Sequence, residues 1–150
     1  MTQEASVQSE TTERVPDQLI THTSVCENHS YEVIALEPGF AKVRFQTRLA
    51  EKIDKTSYIY EASIFSCANF AAIAAINEPQ NHLISARVDF LNPIRAEDEE
   101  VIFEATASTN SSGKKEVSVF GFVKGITVFE SRFVTLKLDK KSILKEEPKT

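Results

Sequence analysis

One alanine-rich segment constrains the fold of this chain more than any other feature. Residues 61–77 read EASIFSCANFAAIAAIN, a run that contains no glycine or proline and that Pro79 brings to an end. The run predicts a helix of about 17 residues, roughly 25 Å long. Apolar side chains lie on nearly every side of this helix, so most of its surface has to be buried. The rest of the chain must therefore wrap around it.

Short segments with the composition of strands lie on both sides of the helix. Two precede it, residues 31–36 and 40–49, joined by the turn dipeptide Pro38-Gly39. Four follow it, at residues 83–91, 101–108, 116–123 and 127–138. The short spacing of these four favours an antiparallel meander. The sequence thus predicts an α+β hotdog fold, in which an antiparallel sheet is wrapped round one long central helix.

The two ends of the chain differ in composition from its middle. Residues 1–14 are rich in Gln, Glu, Ser and Thr and predict a disordered tail, and residues 139–150 are mostly charged and predict a second tail. We expect residues 15–138 to form one hotdog domain. The start has no secretory pattern, and the longest apolar run, residues 71–76, is far shorter than the ~20 residues of a membrane helix. We therefore expect a cytoplasmic protein without a membrane span.

Composition also excludes several classes of function. Seventeen basic against twenty-two acidic residues give a net charge of −5, which lacks the broad basic surface of a nucleic-acid binder. The two cysteines, Cys26 and Cys67, make no disulfide framework. The three histidines show no metal-ligand spacing, so no metal site is expected. The sequence has no Gly-x-Ser-x-Gly elbow, which argues against a serine hydrolase.

The helix and the strand after it carry motifs of a known superfamily. Residues 60–69 read YEASIFSCAN, and residues 88–94 read VDFLNPI. Together they resemble the hotdog acyl-CoA thioesterases of the single-hotdog bacterial type. The phenylacetyl-pathway branch has His-Gly-Gly and then Ala-Asp on the central helix, where this chain has Tyr60-Glu61-Ala62 and Ala68-Asn69. The resemblance covers about residues 31–138 and implies hydrolysis of acyl-CoA or acyl carrier protein thioesters.

A second resemblance supports an alternative function. Residues 65–69, FSCAN, are similar to Phe-Ala-Gln-Ala-Asn in the acyl-binding domain of malonyl-CoA-responsive fatty-acid regulators. That domain is a hotdog that binds its thioester without hydrolysing it, which implies a non-catalytic acyl-CoA-binding module or sensor. A third alternative is a dehydratase-like hotdog. It is disfavoured because those relatives use a histidine on or before the helix, and none lies between His29 and His82.

Thioester hydrolysis requires hydrogen-bond donors for the carbonyl oxygen and a group that activates water. The backbone N–H of Glu61 or Ala62, at the positive end of the helix, is the candidate oxyanion donor. Glu61 is also the candidate base, although the helix dipole alone favours an acidic residue there. Asn69 cannot act as a base, but it can hold a water or the thioester carbonyl. Alternatively, its amide bonds a neighbouring strand or the partner helix.

Six further side chains are candidates for contacts with the substrate: Tyr60, Ser63, Ser66, Arg87, Arg95 and Lys124. Ser63 is alternatively an N-terminal cap of the helix, and Ser66 a small packing residue. The three cations lie near strand ends where the superfamily holds the nucleotide of coenzyme A, or they are solvated surface charges. The coenzyme A thioester is expected as substrate or ligand, and no other cofactor is expected.

The edges of so short a sheet invite pairing with a second copy. Hotdog relatives pair so that each acyl pocket lies between two subunits, with the helix start of one chain facing the position of Asn69 in the other. By that resemblance we expect the chain to form a homodimer, or else a dimer of dimers or a hexamer. We expect it to bind acyl-CoA or acyl carrier protein. A single chain would then hold no complete site.

Overall fold

The computed structural model describes residues 18–109 and 113–138. Its elements, in chain order, are helix α1 (Thr23–Asn28), strands β1 (Glu32–Glu37) and β2 (Phe40–Gln46), a 3-10 turn (Thr47–Leu49), helix α2 (Glu61–Ile76), strand β3 (Asn81–Phe90), a second 3-10 turn (Ala96–Asp98), and strands β4 (Glu100–Thr109), β5 (Lys115–Val123) and β6 (Ile126–Lys137). Both predicted tails and the first three residues of the predicted domain lie outside the described residues.

The predicted order of two strands, one long helix and four strands is confirmed, with two local corrections. The second strand ends at Gln46 rather than at Leu49. Thr47 turns the chain there, because its hydroxyl donates to the Ala96 carbonyl at 2.8 Å and its N–H donates to the Glu99 carbonyl at 3.0 Å. Helix α1 was not predicted, because its six residues are too few to show a helical period.

The six strands form one antiparallel sheet in the order β1-β2-β4-β5-β6-β3. The predicted meander is therefore wrong for β3, which lies beside β6 at the far edge and not beside β4. The segment after Phe90 crosses from that edge to β4, which pairs with β2 instead. This crossing leaves β1 and β3 as the two edges of the sheet.

Helix α2 packs against the inner face of this sheet, as its all-round apolar surface predicts. Nine of its sixteen residues are buried: Ile64, Cys67, Ala68, Phe70, Ala71, Ala72, Ile73, Ala74 and Ala75. Facing them, the fully buried rings of Phe103 and Phe129 lie 5.5 Å apart edge to face. The hotdog layout predicted from the sequence is confirmed.

Asn77 ends the helix and ties the start of the fold to it. Its backbone is left-handed, with φ of 51°, and its N–H donates to the Ile73 carbonyl at 2.8 Å. Its side-chain oxygen accepts the N–H of Ile20 at 2.9 Å, while its side-chain nitrogen donates to the Gln18 carbonyl at 3.0 Å. One amide therefore holds the segment before α1 against the C-terminal end of α2.

Gly121 marks a point where strand β5 has no room for a side chain. A Cβ added there would lie 2.9 Å from Cε1 of Phe103 and 3.1 Å from Cβ of Phe129. We expect Gly121→Ala to lower the free energy of unfolding by about 1–3 kcal/mol, because the core must shift to accept the methyl group. Urea unfolding tests this, with Ser118→Ala on the same strand as control; equal midpoints for the two variants would refute the expectation.

Candidate functional site

Helix α2 begins without a side-chain cap. Its N-cap residue is Tyr60, in an extended conformation, and the Ser63 N–H donates to the Tyr60 carbonyl at 3.0 Å. The alternative that Ser63 caps the helix is therefore wrong. In the part of the chain that the structure describes, the N–H groups of Glu61 and Ala62 have no acceptor. The first turn thus presents two free donors at the positive end of the helix dipole.

Backbone hydrogen bonds from two directions fix this helix start. The Ile59 N–H donates to the Ile94 carbonyl at 2.9 Å, and the Tyr60 N–H donates to the Glu51 carbonyl at 2.9 Å. The Ile59 side chain is buried in the core. The segment that leads into the helix is thus anchored at its end, and the free donors of the first turn are held in one place.

A cavity of about 380 Å³ opens on one flank of the helix start. Its walls are mainly apolar and come from three parts of the chain, with Ile53 before the helix, Ile64 within it, and Phe90 and Asn92 after it. Glu61 is the only carboxylate among the lining residues. We call this space the Glu61 cavity. A side chain able to accept a proton therefore lines this cavity from the first turn of the helix.

A second cavity, of about 410 Å³, lies on the opposite flank. Four of the predicted site residues line it: Tyr60, Ala62, Ser63 and Ser66. Tyr31, which the sequence did not single out, also lines it and donates its hydroxyl to Ser66 Oγ at 3.1 Å. We call this space the Tyr31 cavity. The structure therefore separates Glu61 from the other candidates on the same helical turn.

Tyr31 forms the rigid wall of that second cavity. Its ring centroid lies 5.2 Å from that of Phe70 and 5.3 Å from that of His29. Burial raises the pKa of the Tyr31 hydroxyl, which is therefore neutral and able to donate at neutral pH. No sequence signal distinguishes this tyrosine, because a single aromatic residue before a strand fits any half-buried sheet.

Tyr31→Phe is expected to lower the free energy of unfolding by about 1 kcal/mol, because the Ser66 hydroxyl loses its buried partner. Urea unfolding measures this difference. Tyr58→Phe is a matched control, since the Tyr58 side chain is exposed and, among the described residues, its hydroxyl accepts a hydrogen bond only from the exposed Arg95. A larger loss of stability in Tyr58→Phe than in Tyr31→Phe would contradict the assignment.

Asn69 lines neither cavity. Its side-chain oxygen is buried and accepts no hydrogen bond within the described ranges. The alternative that this oxygen bonds a neighbouring strand is therefore wrong. A buried amide oxygen without a donor costs free energy, so a donor from outside the described residues is favoured. Asn69 lies eight positions after Glu61, about 12 Å along the helix axis, so the two cannot hold one carbonyl within one chain.

The three candidate cations lie in different places. The Arg95 guanidinium stacks 5.0 Å from the ring centroid of Tyr58 and donates to its hydroxyl at 3.2 Å. Tyr58 lines the Glu61 cavity, so Arg95 contacts a residue in the wall of that cavity. Arg87 lies with Ser118 and Arg132 in a groove on the outer face of the sheet, and Lys124 lies in the turn between β5 and β6.

Other catalytic chemistries lack support in the described residues. Cys67 is fully buried, and burial raises the pKa of its thiol well above the usual value, which disfavours a reactive thiolate. Residues 18–109 and 113–138 contain no group of three or more side chains able to hold a metal ion. In the same ranges, no helix is long and apolar enough to cross a membrane.

Solved structures that resemble this chain identify its family, although no family model matches the chain. It is 30% identical to Cj0977, a sigma28-regulated virulence protein from Campylobacter jejuni, with a TM-score of 0.68 over 75% of this chain and 86% of that one. It is 26% identical to PH1136 from Pyrococcus horikoshii, with a TM-score of 0.76 over 84% and 96% of the two chains. PaaI of the Escherichia coli phenylacetic acid degradation operon shares the fold, with a TM-score of 0.62 at 16% identity over 91% of this chain and all of PaaI.

The chain belongs to the hotdog thioesterase superfamily. Its six-stranded antiparallel sheet around one main helix matches these hotdog neighbours, so the predicted fold and family are confirmed. The hotdog is also 33% identical, over 118 residues, to methylthioribose-1-phosphate isomerase of Aquifex aeolicus (strain VF5). That match covers 79% of this chain and 26% of the isomerase, so the hotdog spans about a quarter of that protein.

Proposed function

We propose that this hotdog hydrolyses acyl-CoA or acyl carrier protein thioesters at the start of helix α2. One observation carries the proposal: the uncapped first turn leaves the N–H groups of Glu61 and Ala62 free, and the Glu61 side chain of that turn lines a mainly apolar cavity. Donors for an oxyanion and a base for water are the two components that this reaction requires. The apolar walls around Glu61 suit the acyl part of a thioester.

The reaction follows from these groups. The thioester carbonyl accepts hydrogen bonds from the free N–H groups, which stabilise the negative charge that develops on its oxygen. The Glu61 carboxylate takes a proton from water as the water oxygen attacks the carbonyl carbon. The tetrahedral intermediate then collapses, the carbon–sulfur bond breaks, and the thiolate takes the proton back from Glu61. The products are a free acid and a thiol.

The unpaired oxygen of Asn69 supports a site shared between two copies. Asn69 lies about 12 Å along the helix from the first turn, too far to reach a carbonyl bound there in the same chain. In a homodimer arranged as the resemblance implies, the helix start of one chain faces the Asn69 side chain of the other. That amide would hold the attacking water or orient the thioester, and its buried oxygen would gain a partner.

Arg95 is the cation best placed for coenzyme A. It contacts Tyr58 in the wall of the Glu61 cavity, and its stacking on Tyr58 leaves other guanidinium N–H groups for a phosphate. Thioesters of coenzyme A and of acyl carrier protein share the phosphopantetheine arm. Steady-state kinetics of the wild type and of Arg95→Ala with both substrates decide between them. We expect the substitution to raise KM for acyl-CoA more than KM for the acyl carrier protein thioester.

The alternative function is a non-catalytic acyl-CoA-binding module. The observation that favours it is Asn69, an amide without a titratable oxygen, where thioesterase relatives carry a carboxylate. Thiol release measured across acyl-CoA chain lengths, together with ligand-induced shifts in melting temperature, separates the two functions. Thiol release with saturable kinetics supports hydrolysis. A melting shift without thiol release from any thioester overturns hydrolysis in favour of binding. The absence of both thiol release and a melting shift overturns both functions.

A further inference from the structure

The Glu61 cavity has a buried inner end and an exposed outer end. Three isoleucines that line it, Ile59, Ile64 and Ile94, are each only 2% exposed. Tyr58 and Phe90 line it too, but 37% of the first and 44% of the second are exposed. The isoleucines therefore form the floor of the cavity, and the two aromatic residues lie towards solvent.

The floor of the cavity is fixed in depth. The Ile59 N–H donates to the Ile94 carbonyl at 2.9 Å, and the Ala96 N–H donates to the Ser57 carbonyl at 2.8 Å. These two backbone hydrogen bonds hold the segment before helix α2 against the segment after strand β3. Ile64 belongs to the helix itself and is part of the buried core. Because close-packed interiors resist expansion, a ligand cannot push this floor back.

The volume of the cavity limits what it can hold. A methylene group fills about as much space as a water molecule, roughly 30 Å³ in the liquid. The cavity of about 380 Å³ therefore has room for about a dozen such groups. The carbonyl of a bound thioester takes part of this space. An acyl chain of up to about ten carbons fits, and a longer chain meets the isoleucine floor.

The charge in the cavity limits the chemistry of the acyl group. Glu61 supplies a carboxylate, and among the described residues no lysine, arginine or histidine lines the cavity. Arg95 contacts Tyr58 in its wall but is not one of the lining residues. A carboxylate on the acyl group would lie near that of Glu61 between apolar walls, without a cation to offset the repulsion. The cavity therefore disfavours a malonyl group, the ligand that the resemblance of residues 65–69 suggests.

We propose that the Glu61 cavity selects uncharged hydrocarbon acyl groups of up to about ten carbons, and that Ile64 sets this limit. Ile64 follows Glu61 by three positions, so the two side chains are neighbours on one face of the helix. A chain whose carbonyl is held at the first turn runs inward past Glu61 and ends against Ile64. Ile64 is thus the residue that determines specificity for chain length.

This selectivity rests on the proposed function only for the position of the thioester at the helix start, and binding measures it without turnover. Ligand-induced melting shifts give the affinity for saturated acyl-CoA esters from acetyl to palmitoyl, with free coenzyme A as the reference. Each added methylene should strengthen binding about fourfold until the chain reaches the floor, after which binding should weaken. An affinity that keeps rising through palmitoyl would overturn the length limit.

Shortening Ile64 tests its role. Ile64→Ala should lengthen the best-bound chain by about one to three carbons, because the side chain loses three carbons at the floor. Ile64→Val is the milder variant, which keeps the test open if the alanine variant does not fold. It should strengthen binding of the first chain that is too long for the wild type by about fourfold. Ile73→Val is the matched control, since Ile73 is buried on the same helix but does not line the cavity. A chain-length preference unchanged in Ile64→Val would overturn the assignment.

Two ligands of one shape test the charge selection. Isovaleryl-CoA carries two methyl groups where malonyl-CoA carries two carboxylate oxygens, so we expect the wild type to bind isovaleryl-CoA about tenfold or more tightly than malonyl-CoA. Glu61→Gln should reduce this ratio to about threefold or less, because it removes the opposing charge. Equal affinity of the wild type for both ligands would overturn the charge selection.

Thiol release from the same esters separates this inference from the proposed function. The predicted length and charge preferences without thiol release from any ester leave the inference standing and overturn hydrolysis. Thiol release and binding that are equal for all chain lengths and for malonyl-CoA overturn the inference and leave hydrolysis standing. The absence of a melting shift with any acyl-CoA beyond that of free coenzyme A also overturns the inference.

Discussion

Glu61→Gln is expected to lower kcat for thiol release by about 100-fold or more. Glutamine keeps the size of the side chain but cannot take a proton from water, and general-base catalysis contributes about 10²–10⁴-fold to such reactions. The backbone N–H groups of the first turn remain in place, so the thioester should still bind. Thiol release and ligand-induced melting shifts, measured on the same preparation, separate the loss of turnover from a loss of binding.

Glu51→Gln is the matched control for this variant. Glu51 also lies near the helix start, but it lines the Tyr31 cavity rather than the Glu61 cavity. It holds Tyr60 through its backbone carbonyl, which the substitution does not alter. We expect it to retain wild-type turnover within about twofold, because its side chain has no part in the reaction. Equal losses in the two variants would show that local charge, rather than the Glu61 carboxylate, sustains the activity.

Phe103→Ala is expected to cause the largest loss of stability, about 3–5 kcal/mol in the free energy of unfolding. The Phe103 ring is fully buried between strand β4 and helix α2 and packs edge to face on Phe45 at 6.3 Å and on Phe129 at 5.5 Å. Its removal would leave a cavity against the helix and forfeit both ring contacts. A typical domain has about 5–15 kcal/mol in total, so this variant should be close to unfolded at 37 °C.

Phe120→Ala is the control for that loss. Phe120 lies on the neighbouring strand β5, faces the outer groove of the sheet, and is about 40% exposed. Its truncation should cost less than about 1 kcal/mol. Chemical unfolding by urea gives both values. A cost for Phe103→Ala no greater than that for Phe120→Ala would mean that the helix does not depend on the inner face of the sheet.

The elements of this fold could be predicted because local sequence determines them. An apolar run such as residues 61–76 cannot remain in water, and alternating residues such as Val43 and Phe45 define a strand with one buried face. The place of β3 could not be predicted in this way. Its pairing with β6 depends on contacts between residues 39 to 56 positions apart, from Phe90 with Phe129 to Asn81 with Lys137, and no local pattern encodes them.

Only the part of the candidate site that local sequence determines could be predicted. The sequence indicated the helix start and Glu61, since the first turn of any helix carries free N–H groups. It grouped Glu61 with Ala62 and Ser66, although successive helical residues are about 100° apart and so face different flanks. Tyr31 and the walls of both cavities come from distant segments, so only the assembled fold brings them together.

The amide of Asn77 has a practical consequence for engineering the protein. It binds the chain at Gln18 and Ile20, so the N-terminal segment enters the fold at the C-terminal end of α2. That end is about 24 Å from the first turn of the helix. A fused domain joined directly at Gln18 would therefore be attached far from the Glu61 cavity, where we propose that the thioester binds. Surface immobilisation through that attachment point should leave substrate access unobstructed.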